Sequence, residues 1–167
     1  MISEHTERLI SVRTNGIVLE GMLGAPHAVL GTILFAHGSG SSRFSPRNNF
    51  VAKVLRHYHL VTLPIDLLTP GEDEIYKNRF DIELLTELLV RVAQWVQAAS
   101  ELSDLPLGLF GASTGAASAL RLAASMGEKF TRSCREAAGR IWQKSLCPLS
   151  PRQRSSSSVE TMIWYSN

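Results

Sequence analysis

The sequence predicts an α/β fold in which a doubly wound, mostly parallel sheet carries helices on both faces. Short, continuously apolar runs are typical of strands buried on both sides. The segments between them place apolar residues at helical spacing. The 167 residues suffice for one domain with a real core, and 44% hydrophobic content with a net charge of +2 fits a soluble globular protein.

The elements follow one another as a hairpin and then three strand–helix units. Asn15-Gly16 favours a tight turn between two β-prone segments, 8–12 and 17–23. The apolar runs TILFA (32–36), LVTLPID (60–66) and LGLF (107–110) are predicted as strands, and the segments 49–58, 82–99 and 113–126 as helices. The segment LLTPGEDEIYKNRFD (67–81) is interpreted as an acidic loop. This alternation predicts parallel strands joined by helical crossovers.

The stretch GASTG (111–115) has the form of a nucleophile elbow, a sharp turn between a strand and a helix that exposes a serine. Such a turn needs small residues on either side of the serine because strand and helix pass very close. Gly111 and Gly115 meet that spacing around Ser113. The same pattern also occurs as a glycine-rich turn without chemistry, but its place between a buried strand and a helix favours a nucleophile.

A second motif, LFAHGSGSS (34–42), predicts an oxyanion loop. A strand that ends in His37-Gly38 can supply a backbone N–H which, together with that of the residue after the nucleophile, binds a tetrahedral oxyanion. We assign these two amides to Ser39 and Thr114. His37 is expected to order the loop by hydrogen bonding rather than to act as the base. None of the five histidines follows Ser113 in the sequence.

These motifs carry a resemblance to a known family. ILFAHGSGSSRFSPRNNFVAKVLRHYHLVTLPIDLLTPGEDE together with LPLGLFGASTGAASAL resembles the dienelactone-hydrolase-like branch of the α/β-hydrolase superfamily, over residues of about 8 to 129. The resemblance implies a serine hydrolase of esters, lactones or similar acyl substrates. It also implies about eight strands, of which this chain offers the first five, an acid after a later strand, and a histidine near the C-terminus. Many dienelactone hydrolases carry cysteine where this chain has Ser113.

The composition changes near residue 129. Residues 1–125 hold 10 Lys and Arg and 12 Asp and Glu, whereas residues 126–167 hold 7 and 3, together with both cysteines, Cys134 and Cys147, and the run Ser155–Ser158. We consider the reading frame in which each new codon consists of the third base of one codon and the first two bases of the next. In that frame a run of serines encoded by TCN becomes a run of NTC codons, and all NTC codons encode apolar residues. The shifted frame also requires alanine at Trp142-Gln143 and aspartate at Met162-Ile163. We therefore predict that one base was lost near the codons for Glu128 and Lys129.

The sequence thus predicts an N-terminal portion of an α/β-hydrolase domain over residues 1–129, whose C-terminal strands are missing, and an irregular or disordered out-of-frame tail over 130–167. The strand before the elbow would then be an exposed edge. The chain is expected to be inactive because the acid and histidine are missing. A non-functional fragment and a module that binds a small anion through Arg43 and Arg47 are the alternatives.

Other partners are not indicated by the sequence. The N-terminus MISEHTERLI has no basic segment followed by an apolar one, and no apolar run approaches membrane-spanning length, which favours a cytoplasmic protein without a membrane partner. The charge balance does not favour nucleic acid, and two cysteines without a CxxC pair indicate neither a metal site nor a disulfide framework. We expect a small-molecule acyl substrate and no cofactor, with the oligomeric state left open.

Overall fold

The computed structural model describes residues 6–126 and the backbone of 160–165, which form a six-stranded sheet flanked by helices. The spatial order of the strands is β1-β2-β4-β3-β5-β6. Their bounds are β1 Thr6–Thr14, β2 Ile17–Ala25, β3 Gly31–Ala36, β4 Leu60–Ile65, β5 Leu107–Ala112 and β6 Glu160–Tyr165. The α-helices are α1 Pro46–His57, α2 Pro70–Glu74, α3 Ile82–Ala98 and α4 Thr114–Ser125, with a 3-10 helix over Tyr76–Phe80.

The predicted N-terminal hairpin is confirmed. β1 and β2 pair antiparallel with Thr14 opposite Ile17, so Asn15 and Gly16 form a two-residue turn. Both turn residues have positive φ, 43° for Asn15 and 83° for Gly16. This is the conformation that an Asn-Gly hairpin turn requires.

The centre of the sheet is parallel, as the alternation of strands and helices predicts. β3 pairs parallel with both β4 and β5. β2 and β6 run in the opposite direction, while β1 has the direction of the three central strands. The carboxyl ends of β3, β4 and β5 therefore meet at one edge of the sheet, where open α/β sheets bind ligands.

Helices cover both faces of the sheet, which confirms the doubly wound class. On one face α1 packs on a small cluster that contains Ile33, Phe35 and Phe110. On the other face the apolar stripes of α3 and α4 pack on Leu34, Leu63 and Leu109 in the larger core cluster. Neighbouring residues of one strand enter different clusters because side chains alternate across a strand.

The predicted loop 67–81 contains structure that hydrophobic periodicity did not indicate. Thr69 and Glu72 form a reciprocal capping box, and Pro70 follows the cap at the first position of α2. The 3-10 helix comes next along the chain. Both elements lack buried residues, so they have no apolar stripe to detect. The spacing of Thr69 and Glu72 was the available signal.

The edge of β5 is covered, in contrast to the exposed edge expected from the sequence. β6 pairs antiparallel along all six residues of β5. An irregular tail was predicted there, but the segment ETMIWY holds β-prone residues that suit a strand. The predictions for Cys134, Cys147 and Ser155–Ser158 concern residues outside the described part of the chain. In the described part of the chain no helix has the length and apolarity to cross a membrane.

Candidate active site

Ser113 occupies the turn between β5 and α4 in a strained backbone conformation. Its φ is 53° and its ψ is −124°, and its side chain lies at the exposed surface. Holding a non-glycine residue in such a sparsely populated φ/ψ region lowers the stability of the fold by about 1–3 kcal/mol. This kind of strain is concentrated at functional sites. A strained turn of this kind between a strand and a helix is typical of a nucleophile elbow.

The two glycines of GASTG lie where no side chain fits. A Cβ on Gly111 would come within 2.7 Å of the Cα of Ala116 and of the Gly115 carbonyl oxygen. A Cβ on Gly115 would lie 1.9 Å from the carbonyl oxygen of Ala36. The glycines therefore allow α4 to pass directly over the ends of β3 and β5.

The predicted oxyanion loop follows β3 and lies against the elbow. Ala36 is paired with Gly111, so the loop that begins at His37 and the turn at Ser113 leave the sheet side by side. A Cβ on Gly38 would be 2.9 Å from the Ala112 carbonyl oxygen and 3.0 Å from the Ser113 Cβ. Glycine at position 38 allows this approach.

The two residues predicted as oxyanion donors are in direct contact. The backbone N–H of Ser39 donates to the hydroxyl oxygen of Thr114 at 3.0 Å. Thr114 is the first residue of α4, and the first backbone hydrogen bond of that turn runs from the Ala117 N–H to the Ser113 carbonyl. The Thr114 N–H thus has no acceptor within the helix, and the helix N-terminus favours negative charge.

Both ring nitrogens of His37 face acceptors. Nδ1 lies 3.1 Å from the Gly38 carbonyl oxygen. Nε2 lies 3.2 Å from Asp66 Oδ1, which is within ion-pair distance, but the geometry of this contact is not that of a hydrogen bond. This geometry fits a residue that orders its own loop. It leaves neither nitrogen directed at Ser113.

Asp66, immediately after β4, is a residue of this region that the sequence analysis missed. It accepts a hydrogen bond of 2.7 Å from the backbone N–H of Arg43 and pairs with the Arg43 guanidinium, while contacting His37. Burial alone would raise its pKa, but these contacts with His37 and Arg43 outweigh burial and hold the pKa of Asp66 below its ordinary value. The carboxylate therefore links His37, in the oxyanion loop, to Arg43, which directly follows that loop. Its position at the carboxyl end of a buried strand was the only signal in the sequence.

A cavity of about 360 Å³ opens beside the elbow. Its lining includes Ser39 and Thr114 and five charged residues, namely Glu20, Arg43, Asp66, Asp73 and Arg79. Arg43 pairs with both Glu20 and Asp66, and Arg79 pairs with Asp73 at 2.8 Å. The guanidinium charges in the lining are thus already balanced by carboxylates.

This pairing weakens the case for an anion-binding module. Arg43, on which that alternative depends, contacts two carboxylates. Arg47 is exposed on α1 and does not belong to the lining of the cavity. Among the described residues no group of three or more His, Cys, Asp or Glu is arranged to hold a metal ion.

Solved structures of α/β-hydrolases share this architecture. The crystal structure of dienelactone hydrolase from Anabaena variabilis matches with a TM-score of 0.70 and 46% identity, over 74% of this chain and 59% of that one. An α/β serine hydrolase of Xanthomonas campestris matches in fold, with a TM-score of 0.59 and 21% identity over 74% of this chain and 58% of its own. No family model matches the sequence. The chain has an α/β-hydrolase fold, and its relationship within that superfamily is dienelactone-hydrolase-like.

Among curated proteins the chain is similar to a larger one from Mycobacterium tuberculosis whose name designates it provisionally as a phosphoribosyl transferase. The two are 46% identical over 115 residues, which is 69% of this chain and 26% of the relative. The chain thus spans about a quarter of that relative. Since most of the relative lies outside the match, its name describes a protein much larger than the shared segment.

Proposed function

We propose that this chain carries the nucleophile half of a serine hydrolase that acts on an ester, lactone or similar acyl substrate. The observation that carries the proposal is the strained, exposed backbone turn at Ser113 between β5 and the N-terminus of α4. The close approach of Gly38 and the packing of Gly111 and Gly115 around the same turn support it.

In the proposed reaction the Ser113 Oγ attacks the carbonyl carbon of the substrate. A C–O bond forms, the carbonyl π electrons move to the oxygen, and the serine proton passes to a base. The oxyanion is stabilised by donors beside the elbow, including the Thr114 N–H at the positive end of α4. Collapse of this intermediate expels the alcohol and leaves an acyl-serine, which water then hydrolyses.

No histidine follows Ser113 in the sequence to act as this base, and His37 faces Gly38 and Asp66. Enzymes of this type that lose a triad member keep only a residual rate of about 10³- to 10⁴-fold over water. We therefore expect the 167-residue chain to turn over esters slowly by itself. Imidazole in solution can replace the absent side chain as a proton acceptor.

The test is acetylation of Ser113 by p-nitrophenyl acetate with and without imidazole. We expect an imidazole-dependent burst of p-nitrophenolate and an acetyl group on Ser113, located by peptide mass spectrometry. Ser113→Ala should lack both, and Ser100→Ala, an exposed serine beyond α3, should behave like the wild type. Equal release by wild type and Ser113→Ala with imidazole would refute a nucleophile at Ser113. Fast turnover without imidazole that depends on Ser113 would refute the missing base.

A further inference from the structure

The hydroxyl group of Thr114 lies between the oxyanion loop and the elbow. Its oxygen accepts the hydrogen bond of 3.0 Å from the Ser39 N–H. A backbone N–H carries one proton, so the Ser39 amide that donates to Thr114 is not directed at a substrate oxygen. The simplest two-amide oxyanion hole, made of Ser39 and Thr114, therefore does not match the hydrogen bonding of this loop.

A threonine hydroxyl has one proton to donate and two lone pairs to accept. Within residues 6–126 the Thr114 hydroxyl has the Ser39 amide as its hydrogen-bond partner, and it receives that bond. Its own proton thus stays available. Accepting a bond from an amide also polarises the hydroxyl and strengthens the bond that it can donate.

The position of Thr114 suits such a donor. The residue follows Ser113 directly, is half-buried, and lines the same cavity as Ser39. Its backbone N–H belongs to the first turn of α4 and has no acceptor inside the helix. Two donors of one residue thus lie next to the proposed nucleophile.

We propose that Thr114 supplies two donors to the oxyanion, its backbone N–H and its side-chain hydroxyl, and that the Ser39 amide acts through that hydroxyl. This inference rests on the proposed hydrolase function and assigns Thr114 as a catalytic residue and Ser39 as a positioning residue. Both donors keep their protons throughout. The hydrogen bonds strengthen as the carbonyl oxygen gains negative charge, while the serine proton goes to the base.

The test compares Thr114→Val, which keeps the branched shape but lacks the hydroxyl, with Thr114→Ser, which keeps the hydroxyl. The measured quantity is the rate constant of Ser113 acetylation by p-nitrophenyl acetate at a fixed imidazole concentration, after subtraction of Ser113→Ala. Loss of one oxyanion donor typically lowers the rate by about 10²- to 10³-fold. We expect a loss of that order in Thr114→Val and a rate within about threefold of wild type in Thr114→Ser.

A second readout separates this role from a structural one. Thermal unfolding checks that each variant folds, and Thr114→Ala replaces the valine variant if valine does not fold. The dependence of the acetylation rate constant on substrate concentration should show a lower limiting rate constant with the half-saturating concentration little changed, because the donor acts on the oxyanion rather than on the bound ester.

The outcomes distinguish the two proposals. A normal acetylation rate in a folded Thr114→Val protein would overturn the role of the hydroxyl and leave Ser113 as the nucleophile. A faster rate would also overturn it, since the hydroxyl would then block the Ser39 amide. If wild-type Ser113 is not acetylated at all, the hydrolase proposal fails and this inference fails with it.

Discussion

Replacing Gly115 by alanine tests the geometry of the elbow through stability. The added Cβ would lie 1.9 Å from the Ala36 carbonyl oxygen, 2.5 Å from the Ala36 carbonyl carbon and 2.6 Å from the His37 carbonyl oxygen. All three are backbone atoms, so no side-chain rotation relieves the contacts. To bring the first contact to 3.0 Å, α4 and the end of β3 would have to separate by about 1 Å.

A shift of that size disrupts the packing of α4 on the sheet. Overpacked core positions cost about 1–3 kcal/mol when neighbours can adapt, and we expect at least the upper value here because backbone must move. For a chain of this size, each kcal/mol lowers Tm by roughly 2–4 °C, so the expected loss is about 6–12 °C or more. Circular dichroism during heating measures the Tm, and circular dichroism in urea measures the free energy of unfolding.

The matched control is Gly71→Ala in α2, where an added Cβ has no neighbour within 4 Å. That substitution should leave the free energy of unfolding unchanged or raise it by up to about 1 kcal/mol, because alanine loses less backbone entropy than glycine in a helix. A Gly115→Ala chain as stable as Gly71→Ala would show that α4 does not approach β3 as closely as described.

Ser113→Gly should raise the free energy of unfolding by about 1 kcal/mol while abolishing acetylation, because glycine adopts a positive φ without strain; Ser113→Ala keeps the strain and should show no such gain. Because the pKa of Asp66 is lowered in the folded chain, its contribution to stability is present above the ordinary aspartate pKa of about 4 and disappears as pH falls through the lower, folded value. The stability difference between wild type and Asp66→Asn should therefore narrow between pH 7 and pH 3 in urea titrations, with the exposed Asp104→Asn as the control, and a constant difference would contradict the role given to the Asp66 charge. Finally, sequencing the gene should show that adding one base near the codons for Glu128 and Lys129 opens a second reading frame. That frame should encode an apolar run in place of Ser155–Ser158 and should contain a later histidine codon. An open frame without either feature would refute the proposed loss of a base.

Local patterns were sufficient to predict the central elements of the fold. The turn at Asn15-Gly16, the apolar run of β3 and the apolar stripe of α3 each reflect a preference carried by a few neighbouring residues. The strand, turn and helix around Ser113 could be predicted for the same reason, because the glycines of the turn and its flanking elements are contiguous in sequence. These predictions agree with the structure since local preference and tertiary packing favour the same conformation.

The contacts around the loop could not be predicted because they join distant segments. Asp66 meets Arg43 across 23 positions, and Ser39 meets Thr114 across 75. Neither pair has a spacing that sequence alone can detect. The pairing of β6 with β5 likewise depends on which edge of the sheet is open, and this is a property of the assembled fold.

Whether Ser113 is a nucleophile is tested by its acetylation with p-nitrophenyl acetate in the presence of imidazole, read by peptide mass spectrometry. We expect an acetyl group on Ser113 that forms faster as imidazole is added and is absent from Ser113→Ala. A folded wild-type chain that remains unacetylated at every imidazole concentration would contradict it.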